Sequence, residues 1–115
     1  MMLPIQERSG IRVVTVSGRI DHASSAEFAL ALNKVMVDCV QGKAPVLLDF
    51  SAVLYISSAG LRTLMVASRQ AKAARGVFAI AQLTPLVQEV FAISRFNLIV
   101  PCYGSVDAAI DAMRA

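Results

Sequence analysis

The chain has 115 residues, of which 57% are hydrophobic and 17% charged, with a formal net charge of +3. That length suits one domain rather than two, and the apolar share excludes a disordered tail, which lacks the surface needed to offset ordering entropy. It also argues against a membrane span: the longest apolar stretches, such as Pro45–Leu48 and Val77–Ala81, fall far short of the ~20 residues that cross a bilayer. Arg, Lys, Asp or Gln interrupts every window of that length. The apolar excess therefore belongs to a dense core with a bare surface, the mark of a partner-binding face.

The sequence pI is about 9.2, which by itself suggests nucleic acid. Arg and Lys are nevertheless scattered singly from Arg8 to Arg114 with few aromatics between them. That is the pattern of a solvated surface, and direct nucleic-acid binding is not expected. Cys39 and Cys102 have no Cys or His nearby at ligand spacing, so reduced, buried thiols are expected rather than a disulfide or a metal site. Met1-Met2-Leu3-Pro4 lacks the basic start and apolar run of an export signal. A cytoplasmic chain without membrane insertion is expected.

Ile5–Arg8 and Ile11–Ser17 flank Ser9-Gly10, a two-residue hairpin signal. In the second segment Ile11, Val13, Thr15 and Ser17 alternate with Arg12, Val14 and Val16, which predicts a strand with one better-buried face, ended by Gly18. Ser24-Ser25-Ala26-Glu27 reads as a capping box, followed by a helix carrying Phe28, Leu32, Val35, Met36 and Cys39 and stopped by Gly42. Pro45–Phe50 is a short apolar run suited to a central strand. Ser58–Ala74 is helical, with Leu61, Leu64, Met65 and Ser68 on one side, and Gly76 after it. Val77–Ala81 is a further strand. Thr84-Pro85 begins a helix with a capping hydroxyl and Pro at its first position, and Leu86, Val87, Val90 and Phe91 face the core. Leu98–Val100 is the expected last strand, and Ser105 with Asp107 opens a C-terminal helix.

Strands alternating with helices imply parallel, right-handed crossovers, and the initial hairpin adds one antiparallel pair. The expected fold is a small mixed α/β domain over residues 1–115, its sheet covered by about four helices.

The segment from Asp49 to Arg62 follows the central strand, where open α/β sheets engage ligands and partners. Its two hydroxyls admit a structural and a functional account. Structurally, Ser57 is an N-cap, Ser58 the first helical residue, and Gly60 allows close packing. Functionally, a capping Ser57 leaves Ser58 pointing outward, within reach of a partner enzyme. A phosphate on Ser58 would lie near free helix amides and add ~1.5 to 2 negative charges. Buried unpaired in an interface, that charge would cost on the order of 2–5 kcal/mol, or roughly 30- to several-thousand-fold in affinity.

Ile56-Ser57-Ser58-Ala59-Gly60-Leu61-Arg62, after a strand ending in Asp49-Phe50-Ser51, resembles the signature loop of STAS domains, and in particular of bacterial anti-sigma factor antagonists. Gly18-Arg19-Ile20-Asp21 is similar to the Gly-x-Leu/Ile-Asp of that family, and Thr84-Pro85-Leu86-Val87 with Phe91 is similar to its third-helix region. The resemblance covers nearly the whole chain. It implies a STAS-like fold and a non-enzymatic, phosphorylation-regulated binding protein without a cofactor. The implied partner is an anti-sigma factor of the histidine-kinase-like ATPase type, a Ser/Thr kinase. The unmodified antagonist binds that partner and frees a sigma factor, phosphorylation ends the complex, and a PP2C-type phosphatase restores it. The phosphoacceptor carries over onto Ser58, with Ser57 as runner-up because well-studied members have Asp at that position. Asp21, Ser57, Ser58, Ala59, Gly60, Leu61 and Arg62 form the implied partner surface, and for Asp21 a turn-capping role stands beside it. A weak homodimer through an apolar patch is a further expectation.

Other functions fit less well. The first Gly of Gly-x-Ser-x-Gly is replaced by Ile56, and the only histidine, His22, adjoins Asp21, a poor arrangement for a triad. No Gly-rich phosphate-binding pattern is present. Asp49 lacks companion ligands and suits a strand-end hydrogen bond. The remaining alternative is a non-switching STAS scaffold subunit of a transporter or stress-signalling complex.

Overall fold

In the computed structural model, which describes residues 1–114, β1 (Ile5–Arg8) and β2 (Ile11–Ile20) form the expected antiparallel hairpin. Ser9 and Gly10 turn it with φ of 53° and 79°, the pair of positive values whose twist matches the flanking strands. Gly18 does not end β2. It takes φ 87° at an irregular stretch of pairing, with register shifts between Thr15 and Ser17 and between Gly18 and Arg19. A left-handed glycine accommodates such a bulge, and the strand runs on to Ile20.

β3 (Val46–Ile56) is likewise longer than its apolar run. Beyond Phe50 it stays paired to β2, through Ser17 with Ala52 and on to Ile20 with Ile56. Ser51–Ile56 is therefore strand and not loop. β3 also pairs in parallel with β4 (Phe78–Ala81), and β4 with β5 (Cys102–Tyr103), so the sheet order is β1-β2-β3-β4-β5. The expected strand at Leu98–Val100 is absent. Arg95, at φ 60°, closes the preceding helix, a 3-10 turn covers Phe96–Leu98, and Leu98 is 78% exposed. The last strand falls on Cys102–Tyr103, where hydrogen bonds to β4 are available.

The helices are α1 (Ser25–Met36), α2 (Ser58–Ala73), α3 (Pro85–Ser94) and α4 (Val106–Arg114). The capping box before α1 does not form. The Ser24 hydroxyl donates to the Arg19 carbonyl at 2.8 Å, while Glu27 pairs with the Met1 amine at 2.9 Å. Asp21 supplies the acceptor instead, its Oδ1 taking the N–H groups of Ala23 and Ser24. α1 stops at Met36, ahead of Cys39 and of Gly42, which lies in the following turn at φ 84°. α3 starts at Pro85 as expected, but the Thr84 hydroxyl donates to the Val53 carbonyl at 2.9 Å rather than capping.

The sheet is buried on both faces. On one, Val14, Val16, Leu48 and Phe50 pack under Phe28 and Leu32 of α1, Leu64 of α2 and Phe91 of α3. On the other, Ile11, Val13, Leu47 and Ala79 pack under Val106, Ala109 and Ile110 of α4. β2 thus has two buried faces, not one favoured face, because α4 covers what would otherwise be its solvent side. Phe91 stacks edge-on against Phe50 and Phe96, at 6.3 and 5.0 Å between ring centroids. Leu86, expected in the core, is half-exposed; α3 turns Val87 and Phe91 inward instead. Both cysteines are free thiols, Cys39 buried and Cys102 half-buried. Among the described residues no helix is long and apolar enough to cross a membrane.

Candidate functional site

The parallel pairing of β2 and β3 continues one residue past their ends: the Ser57 N–H donates to the Ile20 carbonyl at 2.8 Å. This fixes the start of α2 beside the end of β2. Ser57 is extended, at φ −88° and ψ 171°, and its Oγ accepts from the Gly60 N–H at 3.2 Å. Its carbonyl accepts from the Leu61 N–H at 2.9 Å. Ser57 is therefore the N-cap, with both oxygens committed to the first turn.

Ser58 is the first helical residue and is exposed. Gly60 is buried, and a Cβ there would stand 2.8 Å from Ile20 Cγ2 and 2.8 Å from Ile56 Cγ1. The glycine is needed for space, and the close approach it permits clamps the first turn of α2 to both strand ends. Ala59 and Leu61 are half-buried and Arg62 is exposed.

Asp21 emerges from β2 next to this cap. Its Oδ1 accepts from the N–H groups of Ala23 at 3.0 Å and Ser24 at 3.1 Å and from the Ser24 hydroxyl at 3.2 Å. The Ser24 N–H is the main cause holding its carboxyl below the ordinary value. The turn role is present, and the side chain keeps part of its surface in solvent. His22 follows, exposed. The Asp21 carboxylate is thus engaged by backbone amides and the Ser24 hydroxyl, not by an imidazole. Asp49 accepts from the Ser51 N–H at 2.9 Å, within β3 rather than at its end. No cluster of three or more groups able to hold a metal occurs among the described residues. Burial raises the Cys39 thiol above its ordinary pKa and pushes Cys102 up to about 11, keeping both protonated.

Two features here escaped sequence analysis. Arg19 lies over the ring of Tyr55, 4.7 Å from its centroid, because the shifted register places the two opposite each other. No sequence signal marks that register. The second is a groove of about 420 Å³ between α1 and α2. Leu30 and Val66, 69% and 57% exposed, belong to it, with buried Met36 between the helices. Along α2 it reaches Ala59 and Arg62, beside Ser58, and Arg62 is the one charged side chain lining it among the described residues. Helix periodicity could have marked Leu30 and Val66 as apolar residues off the core face.

A mixed sheet opened by a hairpin, with three helices on one face and a fourth on the other, and a serine-capped helix after its central strand, defines a small α/β module. The model of the STAS domain matches residues 2–109, and the chain belongs to that family. Among its relatives is a protein of Bordetella bronchiseptica, BtrV, provisionally described as an anti-sigma factor antagonist. It is 32% identical over 114 residues, covering 99% of this chain and 96% of the relative. Solved structures share the fold. An anti-sigma factor antagonist from Mycobacterium paratuberculosis superposes with a TM-score of 0.87 at 24% identity, covering 99% of this chain and 94% of that one. The Bacillus cell fate determinant SpoIIAA in its phosphorylated form gives 0.66 at 17% identity, covering 96% and 98%.

Proposed function

We propose that the chain, residues 1–115 acting as one STAS module, is an anti-sigma factor antagonist switched by phosphorylation of Ser58. Unmodified, it binds an anti-sigma factor of the histidine-kinase-like ATPase type and so frees a sigma factor. The same partner, acting as a Ser/Thr kinase, transfers the γ-phosphoryl group of ATP to Ser58. The Oγ–P bond forms as the bond from γ-phosphorus to the bridging oxygen breaks, ADP leaves, and the hydroxyl proton passes to a base of the kinase. A PP2C-type phosphatase reverses the step with water. The chain itself needs no cofactor, acts in the cytoplasm, and neither binds nucleic acid nor enters a membrane.

The observation that carries this reading is the division of labour between the two serines. Ser57 supplies the cap and Ser58 stays exposed one residue on, so a phosphate on Ser58 leaves the fold intact. The name of the Bordetella relative supports the assignment. Asp21, Ala59, Leu61 and Arg62 surround the switch as contact residues, Gly60 holds it in place, and the groove extends the apolar surface away from it.

The test is to express each kinase-type anti-sigma factor of the same genome and incubate it with labelled ATP and this chain. One of them should label the parent and the Ser57→Ala chain but not Ser58→Ala, and should lose at least 30-fold in affinity for Ser58→Asp. Label that survives Ser58→Ala, or a Ser58→Asp chain that unfolds, overturns the assignment. The exposed Leu54 and Leu86, 61% and 50% in solvent, also suit a scaffold subunit. That alternative predicts binding to a larger assembly that Ser58→Asp does not affect.

A further inference from the structure

We propose that Arg62 is the internal counter-ion of a phosphate on Ser58, so that the switch residue and the groove beside it share one guanidinium. The inference rests on Ser58 being the modified hydroxyl. Ser58 and Arg62 are i and i+4 on α2, hence neighbours on one helical face, with Cβ atoms about 5–6 Å apart. Side chains on a helix lean toward its N-terminus, so Arg62 leans back toward Ser58. Anion first and cation four residues later is also the favourable order for such a pair.

Arg62 is exposed, and the two ion pairs among the described residues, Met1 with Glu27 and Arg8 with Asp107, leave it out. The other charged and titratable groups at this end are Arg19, Asp21, His22 and Tyr55, and, in the first turn of α1, Glu27, which is paired with the Met1 amine. Arg19 is stacked on Tyr55. Asp21, on the strand end to which Ser57 is bonded, contributes a carboxylate of the same sign as the incoming phosphate. A phosphate on Ser58 therefore meets the Asp21 carboxylate, with Glu27 already paired to the Met1 amine, and Arg62 is the cation on its own helical face that takes part in neither ion pair. A planar guanidinium can hold two phosphate oxygens at once. Because Arg62 also lines the groove, the pair draws the groove's cation toward Ser58 whenever the phosphate is present.

The full chain with phosphoserine genetically encoded at position 58 tests this by phosphorus NMR titration, with His22→Gln in every variant. The second ionisation of phosphoserine lies near pH ~6. It should sit about 0.3 of a pH unit lower with Arg62 present than in Arg62→Gln, the size of an i,i+4 ion pair. Arg69→Gln removes the same charge two turns further along α2 and should leave the value unchanged. Arg62→Lys should keep part of the shift, and 1 M salt should abolish it. Equal titration of the Arg62 and Arg62→Gln chains, or an equal shift with Arg69→Gln, overturns the pair. Because the phosphate is installed during synthesis, a kinase that ignores Ser58 refutes the proposed function without touching this titration. A flat titration refutes the pair without touching the kinase result. Far-UV circular dichroism checks the fold, and should Arg62→Gln disturb it, the comparison of Arg62→Lys with the parent decides.

Discussion

Replacing Gly60 by Ala tests the packing that positions Ser58. In most helices the change stabilises by about 1 kcal/mol, since Ala is the better helix former. Here the added Cβ would lie 2.8 Å from Ile20 Cγ2, 2.8 Å from Ile56 Cγ1 and 3.3 Å from Ile56 Cδ1. Carbon atoms pack at about 3.5–4.0 Å, so two of these contacts are too short by roughly 1 Å. Neither neighbour can yield easily. Ile20 and Ile56 are 0% and 2% exposed, and β-branched side chains are stiff at χ1. Relief must come from displacing the first turn of α2, which is also bonded to β2 through Ser57. Overpacking of this kind costs about 1–3 kcal/mol. Set against the helix gain, the net expectation is a loss of up to about 2 kcal/mol, or as much as roughly 8 °C in Tm, in place of the usual gain. Urea unfolding followed by circular dichroism, with an unchanged m-value, measures it. A Gly60→Ala chain stabilised by the ~1 kcal/mol that Ala brings elsewhere would refute the claim that space rather than chance selects glycine there.

The two serines should separate in the same assay: Ser57→Ala loses about 1 kcal/mol with its cap, and Ser58→Ala stays within about 0.5 kcal/mol of the parent. Asp21 has its carboxyl held below the ordinary value chiefly by the Ser24 N–H. Its contribution to stability is therefore present above the carboxylate range and lost as pH falls through the folded value. The gap in Tm between the parent and Asp21→Asn should narrow from pH 7 to pH 3. Cys102 shows the opposite sign. Its thiol is raised from 9.0 to about 11 by burial, so its contribution is intact below pH 9 and lost as pH climbs to about 11. Thermal melts across that window should fall less steeply for Cys102→Ala, and iodoacetamide at pH 8 should alkylate Cys102 more slowly in the folded chain than in urea.

Local chemistry made much of the architecture legible. Ser9-Gly10 specified its turn because few dipeptides accept positive φ twice, and Thr84-Pro85 marked the start of α3 because Pro suits only the first turn. Gly18 and Gly42 misled because a glycine permits a left-handed backbone without saying whether a bulge, a turn or a helix end will use it. The Ser24 capping box misled for a related reason. Asp21, three residues earlier, takes the Ser24 N–H that Glu27 would have reached back for, and does so with a full negative charge. At the site, Ser57, Ser58 and Gly60 were readable from their order alone. The stacking of Arg19 on Tyr55 and the groove were not, because they depend on which strand or helix lies beside which.

The alternation of apolar strands and amphipathic helices, the hairpin and the serine pair ahead of α2 are properties of neighbours in sequence, and the chain by itself determined them. The lengths of β2 and β3, the position of β5 and the depth of Gly60 came only from the tertiary structure. Hydrogen bonds across a sheet extend a strand wherever a partner continues, whatever the local hydropathy. Val46–Ile56 is a strand past its apolar run because Ser17–Ile20 lies alongside it, and Cys102–Tyr103 displaces Leu98–Val100 because Ile80 and Ala81 are there to receive it.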